Sequence, residues 1–126
     1  YGDLMGELLA FFRERVDYAQ RCGIDRRKIV LDPGIGFGKR VQDNFAILRN
    51  LDQIVGLGHQ VLVGPSRKSF IGATLDLPVQ ERVEGTAAAV TAAVLNGARM
   101  VRVHDVRQMK RVVAIADGVV NEGALA

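Results

Sequence analysis

The sequence predicts an α/β fold in which parallel strands are joined by helical crossovers, and three observations carry that reading. Short, almost wholly apolar runs occur at Lys28–Asp32, Gln60–Gly64 and Arg99–His104, each bounded by Gly, Pro or a polar cluster. Between them lie stretches whose apolar residues recur at the spacing of an amphipathic helix. The strand candidates begin 30 to 40 residues apart, which leaves room for a helical crossover and is far too long for a hairpin.

Taken in order, residues 3 to 21 form the first expected helix, with Leu4, Leu8, Phe11, Phe12, Val16 and Ala19 opposing Glu7, Arg13, Glu14 and Asp17. Arg21 supplies a basic last turn and Gly23 the stop. Arg26, Arg27 and Lys28 read as an exposed turn, and Lys28-Ile29-Val30-Leu31-Asp32 as a buried strand that Pro33-Gly34 ends. A second helix is expected over residues 43 to 56, with Phe45, Leu48, Leu51, Ile54 and Val55 on one side and Gly56 and Gly58 at its end. Gln60-Val61-Leu62-Val63-Gly64 is the second strand, stopped by Pro65-Ser66. A long helix from about 80 to 96 closes at Asn96-Gly97, Arg99 to His104 form the third strand, and a last helix covers about 106 to 117.

Two architectures satisfy this order: an open doubly wound sheet, or a piece of a (β/α)₈ barrel. Three strands make a poor complete α/β domain, because both sheet edges stay unpaired. A barrel needs ~250 residues, and the 126 present are about half of one. The expectation is therefore one unit spanning residues 1–126, the C-terminal part of a barrel: a leading helix and about three βα units.

Composition narrows the function classes. Hydrophobic residues make up 48% of the chain, enough for a core, yet no window approaches the ~18 apolar residues of a membrane span. The opening Tyr1-Gly2-Asp3-Leu4 has no basic region leading into an apolar run, so a cut chain is expected rather than a signal peptide. The single Cys22 excludes an internal disulfide and a Cys-based zinc site, fits a reducing cytoplasm, and is expected as a small core filler. A net charge of +3 invites a nucleic-acid reading, but the basic residues are dispersed and not interleaved with aromatics. A small anionic substrate accounts for the charge at least as well.

In parallel α/β proteins, binding groups gather where strands end and loops begin. Here the three strands end in Asp32-Pro33-Gly34-Ile35-Gly36-Phe37-Gly38-Lys39, in Ser66-Arg67-Lys68-Ser69 and in Arg102-Val103-His104-Asp105. Met100, Arg102 and His104 share one face of the third strand. Two cationic or potentially cationic groups there require an anionic answer, either a ligand or a structural acid such as Glu84 or Asp105. Ser66, Arg67, Lys68 and Ser69 add two hydroxyls, a guanidinium and an ammonium, and a short helix starting near Lys68 would add free N–H groups.

Gly34-x-Gly36-x-Gly38-Lys39 matches neither standard nucleotide loop. The Walker pattern fails because Pro33 and Arg40 stand where Gly and Ser or Thr belong, and the dinucleotide spacing is one residue short. The glycines instead permit left-handed turns and close backbone approach. Asp32 suits a flat amidine-like edge, as in pterins and guanines. Phe37 either covers a flat ring or plugs the core. His59, flanked by Gly58, reads as solvent-facing.

With these residues in place the chain resembles the dihydropteroate synthase family over nearly all of residues 1 to 117. Four linked runs carry the resemblance: Leu31 to Lys39, Val63 to Gly72, Glu81 to Ala87 and Val101 to Asp105. It implies a (β/α)₈ barrel enzyme that joins 6-hydroxymethyl-7,8-dihydropterin pyrophosphate to p-aminobenzoate, giving 7,8-dihydropteroate and pyrophosphate. By position, Asp32 would bind the pterin edge and Lys68 its other side. Phe37, Ser66, Arg67, Lys68 and Ser69 would shape the p-aminobenzoate pocket, where sulfonamides compete, and Arg102 and His104 would hold the pyrophosphate. Lys68, Arg102 and His104 would then be the catalytic set.

The resemblance also implies Mg²⁺, with its protein ligand on the N-terminal part and none in this chain, and self-association through the C-terminal helices. Pro65 replaces a Met of some relatives. The family's first five strands are not represented, so the isolated chain is expected to be inactive. The rival readings are a methyltetrahydrofolate-dependent methyltransferase, which has no use for a pyrophosphate site, and a non-catalytic half-barrel.

Overall fold

The computed structural model describes residues 3–122, and among them three parallel strands alternate with six helices. Helix α1 spans Leu4–Arg21, strand β1 Val30–Leu31, α2 Val41–Arg49, α3 Leu51–Val55 and β2 Gln60–Val63. Then come α4 at Ser69–Leu75, α5 at Val83–Leu95, β3 at Met100–Val101 and α6 at Val106–Val120. The strands lie in chain order with β2 central, Val30 and Leu31 facing Gln60 and Val61, and Leu62 and Val63 facing Met100 and Val101.

Local chemistry sets the helix ends. Asp3 caps α1 by accepting from the Gly6 N–H at 3.1 Å. The same helix stops at Gly23, whose φ of 93° lets Ile24 N–H reach back to Ala19 O. Gly97 ends α5 in the same way, with Ala98 N–H donating to Ala93 O. The helix expected over 43 to 56 is two helices, broken at Asn50. There the side-chain amide donates to Ala46 O at 2.8 Å, beside the Asn50 N–H that reaches the same carbonyl at 3.0 Å.

The outer strands are shorter than expected, for two identifiable reasons. Asp25 caps a 3₁₀ turn at Arg26–Lys28, which takes the start of the β1 run. Pro33 and, on the central strand, Pro65 lack the N–H that would extend the ladder past the ends of β1 at Leu31 and β2 at Val63. Arg102 N–H still reaches Val63 O at 3.0 Å, but His104 N–H donates to the Ser66 hydroxyl instead of to a strand.

Along β2, Val61 and Val63 are fully buried against the helical layer, whereas Leu62 is only partly covered. Val30, expected to be buried, is 43% exposed, because no layer of the described residues covers that face of the sheet. The core has two parts. Leu31, Ile47, Leu51, Ile54, Val61, Val63 and Phe70 gather around β1 and β2, while Val90, Val94, Met109 and Ala116 join α5 to α6. Each of these side chains larger than Ala contributes about 1.5–3 kcal/mol by burial. Cys22 is exposed at the end of α1 and fills no core space, because it falls on the helix cap rather than on the apolar stripe. His59 is half-buried, its Nδ1 3.2 Å from Arg26 O.

Candidate functional site

The strand ends hold the chemistry, and the Gly34–Lys39 loop is folded tightly to do so. Asp32 Oδ1 accepts from Gly34 N–H at 2.9 Å, which turns the chain at the end of β1. Lys39 Nζ closes the loop by donating to Gly34 O and Phe37 O at 3.0 and 3.1 Å. From inside, buried Asn44 accepts Gly36 N–H at 2.8 Å. Gly36 has a φ of 85°, and a Cβ there would meet Lys68 Cδ at 2.9 Å, so the glycine makes room for the lysine stem.

Ser66, Arg67 and Lys68 leave the end of β2 in three directions. Ser66 is 4% exposed; its Oγ lies 2.7 Å from His104 Nδ1 and accepts the His104 peptide N–H at 3.0 Å. The Arg67 guanidinium holds Asp105 with two contacts, 2.8 and 3.2 Å. Lys68 Nζ donates to Ile35 O at 2.9 Å and stands 4.2 Å above the Phe37 ring. Arg67 achieves this divergence in a left-handed conformation, φ 55°, unusual for a residue with a Cβ. Two groups of the α5 start stabilise it. Thr86 Oγ1 accepts Arg67 N–H at 3.0 Å, and Arg82 donates to Arg67 O at 2.8 Å and to Leu77 O at 3.1 Å.

The Arg102 guanidinium occupies the space a side chain at Gly64 would need and reaches Asp32 Oδ2, with Nη1 3.5 Å away. Both partners are partly open to solvent, so this pair contributes under about 1 kcal/mol. Burial pushes the Lys68 ammonium below the usual lysine range, with Arg102 and Lys39 adding to the effect and Asp32 opposing it. Asp32, Lys39, Lys68 and Arg102 therefore share one electrostatic environment. The Arg67 guanidinium holds the Asp105 carboxyl below the usual carboxylate range, outweighing burial.

The structure thus brings Asp32, Lys68 and Arg102 together and joins Ser66 to His104. The acid facing Arg102 is Asp32, not Glu84 or Asp105: Asp105 belongs to Arg67, and Glu84 is exposed without an ion pair among the described residues. Phe37 is 65% exposed and does not plug the core. Ser69 opens α4, as a helix starting near Lys68 required, and is exposed.

Arg82, Thr86 and Asn44 were not anticipated from sequence. Thr86 could have been suspected as the polar member of the apolar run from Gly85 to Val90. Nothing in the sequence tells which backbone groups these side chains bond.

Comparison with known proteins places these features in context. The "Pterin binding enzyme" family profile matches residues 1–104. The chain is similar to the dihydropteroate synthase of Bacillus subtilis, 45% identical over 125 residues, covering 99% of this chain and 44% of that protein. With the Synechocystis dihydropteroate synthase it shares 50% identity over 118 residues, 93% of this chain and 41% of the relative. Among solved structures it superimposes on the Yersinia pestis dihydropteroate synthase with a sulfonamide drug complex at a TM-score of 0.92 and 37% identity, covering 94% of this chain and 43% of that one. The Coxiella burnetii dihydropteroate synthase in complex with pteroic acid gives 0.91 and 35%, covering 93% and 45%. The chain thus spans less than half the length of these relatives.

Proposed function

This chain belongs to the pterin-binding enzyme family, and from that premise we propose that it forms one wall of a dihydropteroate synthase site in the C-terminal part of a (β/α)₈ barrel. The reaction joins a dihydropterin pyrophosphate to p-aminobenzoate with loss of pyrophosphate. The observation that carries the reading is the convergence of one carboxylate, Asp32, with the Lys68 and Arg102 cations at adjacent strand ends.

Each group has a task in that chemistry. Asp32 accepts from the amino and N–H edge of the pterin, and its charge favours positive character at the exocyclic carbon that the arylamine attacks. Lys68 contacts the pterin opposite Asp32. Arg102 and His104 take up the charge of the departing pyrophosphate. Phe37, Arg67 and Ser69 border the place for p-aminobenzoate. Ser66 shapes that pocket from beneath, since its hydroxyl is buried on His104. The sulfonamide and pteroic acid complexes of the relatives support this ligand class.

We propose that Mg²⁺ takes its protein ligand from the N-terminal part of the family's barrel; among the described residues of this chain no group of three candidate ligands occurs.

We also propose that the protein is cytoplasmic, as the family resemblance implies, and that it self-associates. Ile115 and Val119 of α6 are 75% and 62% exposed, the kind of surface a second copy covers. Because Asp32, Lys68 and Arg102 line an open face, we expect no turnover by the 126 residues alone.

The test is calorimetry with pyrophosphate and with a pterin. Arg102→Ala should weaken pyrophosphate at least about tenfold and spare the pterin, the loss of one charge-assisted hydrogen bond. Asp32→Ala should do the reverse. Pyrophosphate affinity unchanged by Arg102→Ala would overturn the assignment.

A further inference from the structure

The Ser66–His104 pair carries more than a positional link, because a hydroxyl has only one hydrogen to give. Ser66 Oγ accepts the His104 peptide N–H at 3.0 Å, and among the described residues its other partner is His104 Nδ1 at 2.7 Å. Ser66 is 4% exposed, and no buried side-chain polar atom among the described residues lacks a partner. If Nδ1 carried a proton, Oγ would accept two hydrogen bonds and its own hydrogen would be left without an acceptor. If Nδ1 is bare, both hydrogens are used: the peptide N–H goes to Oγ, and Oγ–H goes to Nδ1. The second arrangement leaves no donor stranded and is favoured by the cost of an orphaned buried hydroxyl.

We propose that Ser66 is a positioning residue that fixes neutral His104 as the Nε2–H tautomer and so presents Nε2–H as a hydrogen-bond donor at the open end of the site. The functional half of this inference rests on the pyrophosphate reading above; the tautomer does not. His104 is exposed, and its Nε2 has no partner among the described residues, so the donor is available to an oxyanion. The same hydroxyl ties the end of β3 to the turn after β2. Ring orientation and tautomer are therefore set together, before any ligand arrives. A neutral ring with a fixed donor can follow charge as it accumulates on a leaving oxyanion, without reorganising in the step.

The experiment is nitrogen-15 NMR of the histidine rings in the whole chain, at a pH where His104 is neutral, with its resonances assigned through His104→Gln. Wild type should show Nδ1 as an unprotonated nitrogen and Nε2 as a protonated one. Ser66→Ala should move the ratio of the two tautomers about tenfold toward Nδ1–H. A protonated Nδ1 in wild type, or an unchanged ratio in a folded Ser66→Ala variant, overturns the proposal. Should Ser66→Ala fail to fold, the wild-type spectrum decides alone. Adding inorganic pyrophosphate should then shift Nε2 more than Nδ1. If the tautomer is as stated but Nε2 does not respond, the pyrophosphate reading fails while the role of Ser66 stands.

Discussion

Replacing Gly64 by Ala separates what the fold needs from what the site needs. A Cβ at Gly64 would stand 2.6 Å from Arg102 Nη2, 3.0 Å from Cζ and 3.2 Å from Nε, and the guanidinium supplies all three of its nearest contacts. Restoring ordinary contact requires the guanidinium to move by about 1 Å, a displacement large enough to disturb a fixed ligand geometry. Gly64 is not in the left-handed region, so Ala brings no backbone strain and gains about 0.4–1 kcal/mol from the unfolded chain. Weakening the exposed Arg102–Asp32 pair costs under about 1 kcal/mol. The two terms oppose each other, and net stability should change by less than about 1 kcal/mol. Pyrophosphate affinity should fall about 10- to 100-fold, as expected when a charge-assisted hydrogen bond worth about 1.5–3 kcal/mol loses its geometry. Urea denaturation gives the first quantity and calorimetry the second. Unchanged affinity in a stable variant would refute the idea that Arg102 works from its seat on Gly64. A loss of more than about 2 kcal/mol would show that Gly64 serves the backbone instead.

The other predictions follow from the same reasoning. Gly85→Ala should go the opposite way, since its Cβ would overlap the Cγ2 of buried Ile71 and stand 3.1 Å from Leu75 Cδ1. The branched Ile71 cannot swing aside cheaply, so overpacking should outweigh the helix propensity of Ala and cost about 1–2 kcal/mol in a urea melt. Lys68 has its folded-state pKa lowered, so the unfolded chain holds that proton more tightly. Stability should therefore rise as pH climbs through the folded value toward the ordinary lysine value of about 10.4, and Lys68→Met should flatten that rise in paired urea midpoints. An equal rise in the variant would mean that another group is responsible. Asp105 gives the mirror case: Arg67 lowers its pKa, so its contribution is complete above the usual carboxylate range and lost as pH falls through the folded value. Asp105→Asn should remove that part of the acid limb, and an unaltered acid limb would count against it.

The order of helices and strands was legible because apolar periodicity is a local property, and the chemistry at the strand ends was legible because parallel sheets place it there. The break at Asn50 was not, since the apolar periodicity runs on through it from Phe45 to Val55. Cys22 was misread because free thiols are usually buried, while its position at a helix cap decides its exposure. The cationic groups at the strand ends stand out in the sequence, but their pairing does not, and nor does the support that Arg82 gives to Arg67. Arg67 with Asp105, and Arg102 with Asp32, are chosen by the geometry of neighbouring loops, which residue type alone does not encode. Ser66 gave no sign from sequence that it faces inward, because a serine after a proline reads equally well as a solvated turn.

The left-handed turn at Arg67 has a consequence for anyone who would redesign this surface. Three consecutive side chains are each tied to a neighbouring strand end: Ser66 and Arg67 to His104 and Asp105 after β3, and Lys68 to the carbonyl of Ile35 after β1. A library that randomises positions 66 to 68 would therefore sample mostly variants in which both neighbouring strand ends lose anchors at once, and selections would recover parental residues. Phe37 and Ser69 border the same surface but are exposed and anchor nothing comparable. Diversity introduced at those two positions should alter ligand preference while leaving the scaffold intact, which makes them the economical place to begin directed evolution.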